Sequence, residues 1–294
     1  MKMINKITAL ILAATSIVSC ATPEKSSEVV ISEGLRFNES TFPYNGTLLI
    51  ANFGTVELNP LNSEGKGYIA QLIGDKISTF IPADGNLSAP KGMIVKDNYL
   101  VVCDVNKLVA YNLTNKSAAP QILTLPEGEI FANDIVSDGN NLFVSITNTG
   151  TIFKIDATDL SKFSEAQPVE WFNVIGANGM VYSNGAIFVV SYTSEPVATE
   201  ANVIYKISNL DAPTLSIVSN QAERWDGLAI SEDKTTLYAS SWAPAQIVAI
   251  DIATGTTSVV PIETEFIGAA DFTLMDGKLY IPDLPNSSVI IKEL

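Results

Sequence analysis

The chain has 294 residues, with 17 basic and 32 acidic side chains, a formal net charge of −15, no histidine and two cysteines. A surface this acidic repels phosphate backbones and is not drawn to anionic lipid, which argues against nucleic-acid binding and against electrostatic membrane adsorption. Without histidine there is no Ser-His-Asp or Cys-His unit, no histidine-ligated zinc and no imidazole base; the chemistry has to run on carboxylates, amides, Lys, Tyr, Ser/Thr or a metal held by oxygen.

From the start of the chain, Lys2 and Lys6 precede an apolar run from Ile7 to Val18. A dozen residues fall short of the ~20 that span a bilayer and match a signal-peptide core. The run ends in Ile17-Val18-Ser19-Cys20-Ala21, which resembles a bacterial lipobox, so Cys20 is expected to be acylated. Residues 1–19 then read as a lipoprotein signal peptide, 20–27 as a small polar tether and 28–294 as the folded domain. Loss of the two lysines takes the net charge to −17. The expected location is the bacterial cell envelope, with the lipid on Cys20 as the membrane link. Ala21-Thr22 after the cysteine offers no retention aspartate, which favours the outer membrane. Cys103, inside Leu100-Val101-Val102-Cys103, is then the sole thiol of the domain and reads as a buried spectator.

Beyond the tether the pattern is nearly all β. A short motif recurs, in which a polar residue follows a turn and opens an alternating apolar strand: Ser32-Glu33-Gly34-Leu35, Pro90-Lys91-Gly92-Met93, Ala132-Asn133-Asp134-Ile135, Ala177-Asn178-Gly179-Met180, Trp225-Asp226-Gly227-Leu228 and Ala270-Asp271-Phe272. Spacings between the polar residues are 58, 42, 45, 48 and 45, the period of four-stranded propeller blades. Second strands are predicted at Leu48–Ala51, Leu100–Val102, Leu142–Val144, Ile187–Val190, Leu237–Ala239 and Leu279–Ile281, most of them behind turn clusters such as Asn45-Gly46, Asn184-Gly185 and Asp276-Gly277. Third strands follow in each repeat. Fourth strands fit around Ile77–Phe80, Gln121–Leu125, Val169–Phe172, Thr214–Val218 and Thr257–Val260. The sixth repeat ends at Leu294 with three strands, and the spare segment Glu28–Ile31 can complete it. The fold class expected is an all-β, six-bladed propeller with four-stranded blades, its ring closed by an N-terminal strand joining the last blade.

In such a ring the first strand of each blade lines the central channel, so Glu33, Lys91, Asn133, Asn178, Asp226 and Asp271 should converge at one mouth. Glu33, Asn133, Asn178 and Asp226 offer two charges and two neutral oxygens, a donor set for a hard divalent cation: calcium first, with magnesium or manganese as alternatives. A metal-free polar network neutralised by Lys91 is the other outcome.

The order Glu33-Gly34, Ala132-Asn133-Asp134, Ala177-Asn178-Gly179 and Trp225-Asp226-Gly227 resembles the senescence-marker/gluconolactonase/luciferin-regenerating-enzyme-like propellers, over about Val29 to Leu294. Pro90-Lys91-Gly92-Met93 and Gly268-Ala269-Ala270-Asp271 look like a bacterial lipoprotein branch. The resemblance implies a divalent ion on the residues matching Glu33, Asn178 and Asp226. It implies that Asn133 ligates the ion or touches substrate, and that Asp226 is base or nucleophile. The expected activity is a divalent-metal-dependent hydrolase of a lactone or related ester, with Asp226 or Asp271 as general base. Lys91, Asn133 and Trp242 are expected to contact the small-molecule substrate, and the loops Phe53 to Lys66 and Tyr192 to Asn202 to shape the pocket. The alternative is a non-catalytic lipoprotein that binds a glycan, metabolite or protein through the same mouth.

Overall fold

The computed structural model describes residues 28–193 and 198–294. A single strand, β1 (Val29–Ile31), precedes the first complete blade, β2 (Asn38–Tyr44), β3 (Thr47–Asn52), β4 (Tyr68–Ile73) and β5 (Lys76–Ile81). Blade two is β6 (Pro90–Lys96), β7 (Tyr99–Asp104), β8 (Lys107–Asn112) and β9 (Gln121–Thr124). Blade three is β10 (Ala132–Ser137), β11 (Asn141–Ile146), β12 (Thr151–Asp156) and β13 (Val169–Asn173), with a short 3-10 helix, Leu160–Glu165, before its last strand. Blade four is β14 (Ala177–Ser183), β15 (Ala186–Ser191), β16 (Ile204–Ser208) and β17 (Thr214–Ser219). Blade five is β18 (Trp225–Ile230), β19 (Thr236–Trp242), β20 (Ala245–Asp251) and β21 (Thr257–Val260). Blade six is β22 (Thr273–Met275), β23 (Lys278–Asp283) and β24 (Ser288–Glu293), completed by β1. All six sheets are antiparallel and four-stranded.

The closing strand sits where the sequence places it, with Val29, Val30 and Ile31 opposite Ile291, Ile290 and Val289. Glu28 anchors it: its carboxylate accepts from the backbone N–H groups of Glu263 at 2.9 Å and Thr264 at 2.8 Å, and lies 3.3 Å from Lys292 Nζ. Burial is greatest in the second strands and least in the outermost. β11 and β15 are buried on both faces because the neighbouring blades cover them, whereas β13 and β17 face solvent along most of their length. The core is therefore a set of interblade layers; one joins Val101, Cys103 and Leu108 of blade two to Ile135, Leu142 and Val144 of blade three. Cys103 is free and buried, and burial pushes its thiol well above the usual range. Tight hairpins pin the register. Asn45-Gly46 and Asn184-Gly185 have positive φ at both positions, as a two-residue type I′ turn demands, and Asp97-Asn98 does the same without glycine.

The first blade departs from the sequence reading. Ser32-Glu33-Gly34-Leu35 does not open a channel-lining strand; it lies in the link between β1 and β2, exposed from Ser32 to Gly34 and buried at Leu35, with Gly34 at φ +81°. The inner strand begins at Asn38 instead.

Candidate functional site

The inner strands share a local break in pairing that falls on the polar residue of the repeat. Register shifts occur between Asn38 and Ser40, Pro90 and Met93, Ala132 and Ile135, Ala177 and Met180, and Trp225 and Leu228. A bulge leaves its extra residue out of the ladder and re-aims the side chain. Here it turns Glu39, Lys91, Asn133, Asn178 and Asp226 into the channel mouth, where all five line one cavity of about 570 Å³.

The glycine after the polar residue follows from the same crowding. A Cβ at Gly92 would lie 2.8 Å from the Asn133 carbonyl oxygen, one at Gly179 2.4 Å from the Asp226 carbonyl oxygen, and one at Gly227 2.6 Å from Asp271 Cα. The inner strands meet backbone to backbone, and a side chain would hold them apart. Serines of the second strands satisfy the freed backbone groups. Gly227 N–H donates to Ser240 Oγ, which donates to the Ala270 carbonyl; Asp134 N–H donates to Ser145 Oγ, which donates to the Asn178 carbonyl.

Four oxygens in the ring are buried and without a hydrogen-bond partner: Glu39 Oε2, Asn133 Oδ1, Asn178 Oδ1 and Asp226 Oδ1. Each belongs to a side chain more than nine-tenths buried. An unpaired buried acceptor costs about 1–3 kcal/mol, so four facing one cavity are a standing cost that a cation would relieve. Among the described residues no three His, Cys, Asp or Glu groups assemble into a metal cluster. The ring instead combines two carboxylates with two amide carbonyls, hard donors suited to calcium, magnesium or manganese and poorly suited to zinc or copper. The residues present fit a hard divalent cation.

Lys91 is fully buried beside this ring. Its ammonium donates to the carbonyls of Pro60 and Ala89, both at 2.9 Å, and faces the rings of Phe131 at 4.8 Å and Phe53 at 5.5 Å. Two of its three protons are thus committed to backbone carbonyls. Burial lowers its pKa, with Glu39 opposing. Burial, reinforced by the Asp226 charge, drives Glu39 well above the carboxylate range despite Lys91. Asp226 is raised to about 7 by burial and then by Asp271, with Lys91, Arg224 and the Asn178 amide pulling the other way.

Asn133, Asn178, Asp226, Lys91 and Trp242 of the sequence reading therefore meet in one cavity. Glu33 does not: it is exposed in the link before β2, and Glu39 stands in its place. The signal for Glu39 was the period, since Glu33 lies 58 residues before Lys91 and Glu39 only 52, nearer the other repeats. It was missed because Ser40, not glycine, follows it. Asp271 does not join either. It lines a smaller cavity of about 340 Å³ at the far end of the inner strands, with Asp134. Its Oδ2 accepts from Ser40 Oγ at 2.8 Å, and burial raises it to about 7. Trp242 has two duties: it lines the cavity while its six-membered ring presses on Gly268, where a Cβ would come within 2.8 Å. Both long loops contribute walls, Phe53 and Pro60 from one and Tyr192, Thr193 and Thr199 from the other. Cys20 lies outside the described residues.

Residues 89–279 match the SMP-30/Gluconolactonase/LRE-like region. No curated protein matches the chain. Among solved structures, a catalytically inactive virginiamycin B lyase from Staphylococcus aureus with quinupristin superposes with a TM-score of 0.62 at 12% identity, covering 92% of this chain and 100% of that one. A protein of unknown function from Bacteroides thetaiotaomicron gives 0.63 at 11% identity, covering 92% and 76%. A chain of a nidogen/laminin complex gives 0.62 at 12% identity, covering 91% and 90%. At these identities the likeness is one of fold, and that fold occurs in a lyase and in a chain of a nidogen/laminin complex alike.

Proposed function

The chain belongs to the SMP-30/Gluconolactonase/LRE-like family, and on that premise we propose that it is a hydrolase of a lactone or related ester, working at the wider cavity with a divalent cation, calcium first. The observation that carries this reading is the set of four unpartnered oxygens on Glu39, Asn133, Asn178 and Asp226. These residues would hold the cation, which when bound polarises a carbonyl and makes water a better nucleophile.

The chain's own groups supply the rest. Lys91 has one proton left after its two backbone hydrogen bonds, and would donate it to the substrate carbonyl oxygen, where negative charge grows in the transition state. Asp226, raised to about 7 without a cation, would be held ionised by the cation it helps to bind, and so in the state a base needs at neutral pH. It would take a proton from water as the water oxygen bonds to the acyl carbon. As the carbon–oxygen ester bond breaks, it would return that proton to the leaving alkoxide, giving a hydroxy acid from a lactone. Phe53, Phe131 and Trp242 would exclude bulk water.

Attachment through acylated Cys20 to the bacterial cell envelope, at the outer membrane, belongs to the same proposal, with a small molecule as partner and no nucleic acid. The test is turnover of a lactone and ester panel by the purified full chain in calcium, magnesium, manganese or EDTA. We expect hydrolysis abolished by EDTA and reduced at least 100-fold in Asp226→Asn. Saturable ligand binding with no turnover under any cation would reject the hydrolase and favour the non-catalytic lipoprotein.

A further inference from the structure

The walls of the cavity narrow the substrate. Above the ring of oxygens they are built from Phe53, Phe131, Ile175, Tyr192, Trp242 and Leu284. The polar side chains among them are already engaged with protein. Thr147 Oγ1 donates to the Ala177 carbonyl, and Thr149 Oγ1 to Glu129. Thr193 and Thr199 both donate to Asn202 Oδ1. Asn148 is used at both ends: its Oδ1 accepts from the Ile130 and Phe131 N–H groups and its Nδ2 donates to the Gly128 carbonyl. The threonines keep no spare hydroxyl proton; Asn148 keeps one of its two amide protons, and Tyr192, whose hydroxyl accepts from Arg224, keeps its phenolic one.

The mouth continues the theme. Ile175 is both a wall residue and 57% exposed, and Val56, Leu61, Ile130 and Ile267 are exposed on the loops that supply or adjoin other wall residues. A polyhydroxylated lactone would bury hydroxyl groups against aliphatic and aromatic surface, at about 1–3 kcal/mol for each one left unpaired. An alkyl or aryl substituent would instead gain ~0.8 kcal/mol per buried methylene. At about 570 Å³ the cavity has the volume of a drug-sized pocket.

Resting on the hydrolase reading above, we infer that the substrate is a lipophilic lactone or ester. Its one polar head meets the oxygen ring and Lys91, and its alkyl or aryl substituent lies along the wall formed by Phe53, Phe131, Ile175, Tyr192, Trp242 and Leu284. Polyhydroxylated sugar lactones are poor occupants.

The test uses the full chain with calcium and two matched series. One is δ-lactones carrying pentyl, heptyl or nonyl chains beside glucono-1,5-lactone, for turnover. The other is the corresponding unreactive δ-lactams, for binding by calorimetry. Lactam affinity should rise about fourfold per added methylene until the cavity is filled, and the polyhydroxylated lactam should bind at least 100-fold more weakly than the heptyl one. Ile175→Ser should weaken heptyl-lactam binding about tenfold, while Ile217→Ser, exposed on β17, should not change it. Equal or tighter binding of the polyhydroxylated lactam, an affinity flat in chain length, or no binding by either series would overturn the inference. Chain-length-dependent lactam binding without hydrolysis of any lactone would reject the hydrolase and leave the lipophilic occupant standing. Hydrolysis confined to glucono-1,5-lactone would do the reverse.

Discussion

Replacing Asp226 with asparagine tests two proposed roles of the ring together, because it removes a costly titration and exchanges a charged oxygen of the proposed cation site for a neutral one. Burial and the charge of Asp271 hold Asp226 at about 7, against about 3.9 for an ordinary aspartate. Between those values the unfolded chain has released its proton and the folded chain keeps it. The stability of the cation-free protein therefore falls as pH rises through that window and levels off above about 7. A gap of about three units at ~1.4 kcal/mol each puts the cost at pH 8 on the order of 4 kcal/mol. For a chain of this size that is a difference in Tm of ~10 °C. Asparagine keeps the shape and cannot ionise. In EDTA, Asp226→Asn should melt close to wild type at pH 5 and ~10 °C above it at pH 8, followed by circular dichroism. Calcium at 100 times Kd should add ~2.7 kcal/mol to wild type and little to the variant, closing most of that gap. A variant that melts below wild type in EDTA at every pH, or gains as much from calcium, would refute the reasoning.

Other outcomes follow from the same geometry. Asn178→Ala and Asn133→Ala each remove an unpartnered oxygen from the ring and should weaken calcium binding more than tenfold in calorimetry, whereas Glu33→Ala, altering an exposed link, should leave it within twofold. Gly179→Ala places a methyl 2.4 Å from the Asp226 carbonyl oxygen and should destabilise by about 1–3 kcal/mol or more in urea unfolding, as overpacking does. Changing Glu28 to alanine removes the acceptor for two backbone N–H groups and one ion-pair partner of Lys292, and should speed proteolysis of the closing strand without changing calcium affinity. Cys103, buried and with its thiol pushed up by burial, should resist a thiol reagent at pH 8 until the protein is unfolded.

The blade count, the strand order and the closing strand were legible because each rests on a local periodicity. Alternating apolar residues mark the strands, and pairs such as Asn45-Gly46 and Asn184-Gly185 mark hairpins whose backbone needs positive φ. Asp97-Asn98 makes the same turn without glycine and gave no such mark. A polar residue followed by glycine is, taken alone, a common turn signal. Here it is neither a left-handed turn nor a free choice, since Gly92, Gly179 and Gly227 sit where neighbouring inner strands touch. That contact is between blades, so nothing local announces it. Glu33 misled for the same reason: Glu33-Gly34 looks like the motif, but Gly34 serves a turn at φ +81°. Glu39, without a glycine after it, occupies the bulge. The depth at which Asp271 sits was equally hidden, because a residue's height along a channel depends on how far each inner strand slides past the next.

The central claim is that Glu39, Asn133, Asn178 and Asp226 surround a cation with Lys91 drawn aside. Anomalous diffraction from crystals of the protein grown with manganese tests it directly. The account predicts one strong peak within coordinating distance of Glu39 Oε2, Asn133 Oδ1, Asn178 Oδ1 and Asp226 Oδ1, with the Lys91 amine still bonded to the carbonyls of Pro60 and Ala89. A map with no peak there, or with the Lys91 amine at the centre of the four oxygens, would contradict it.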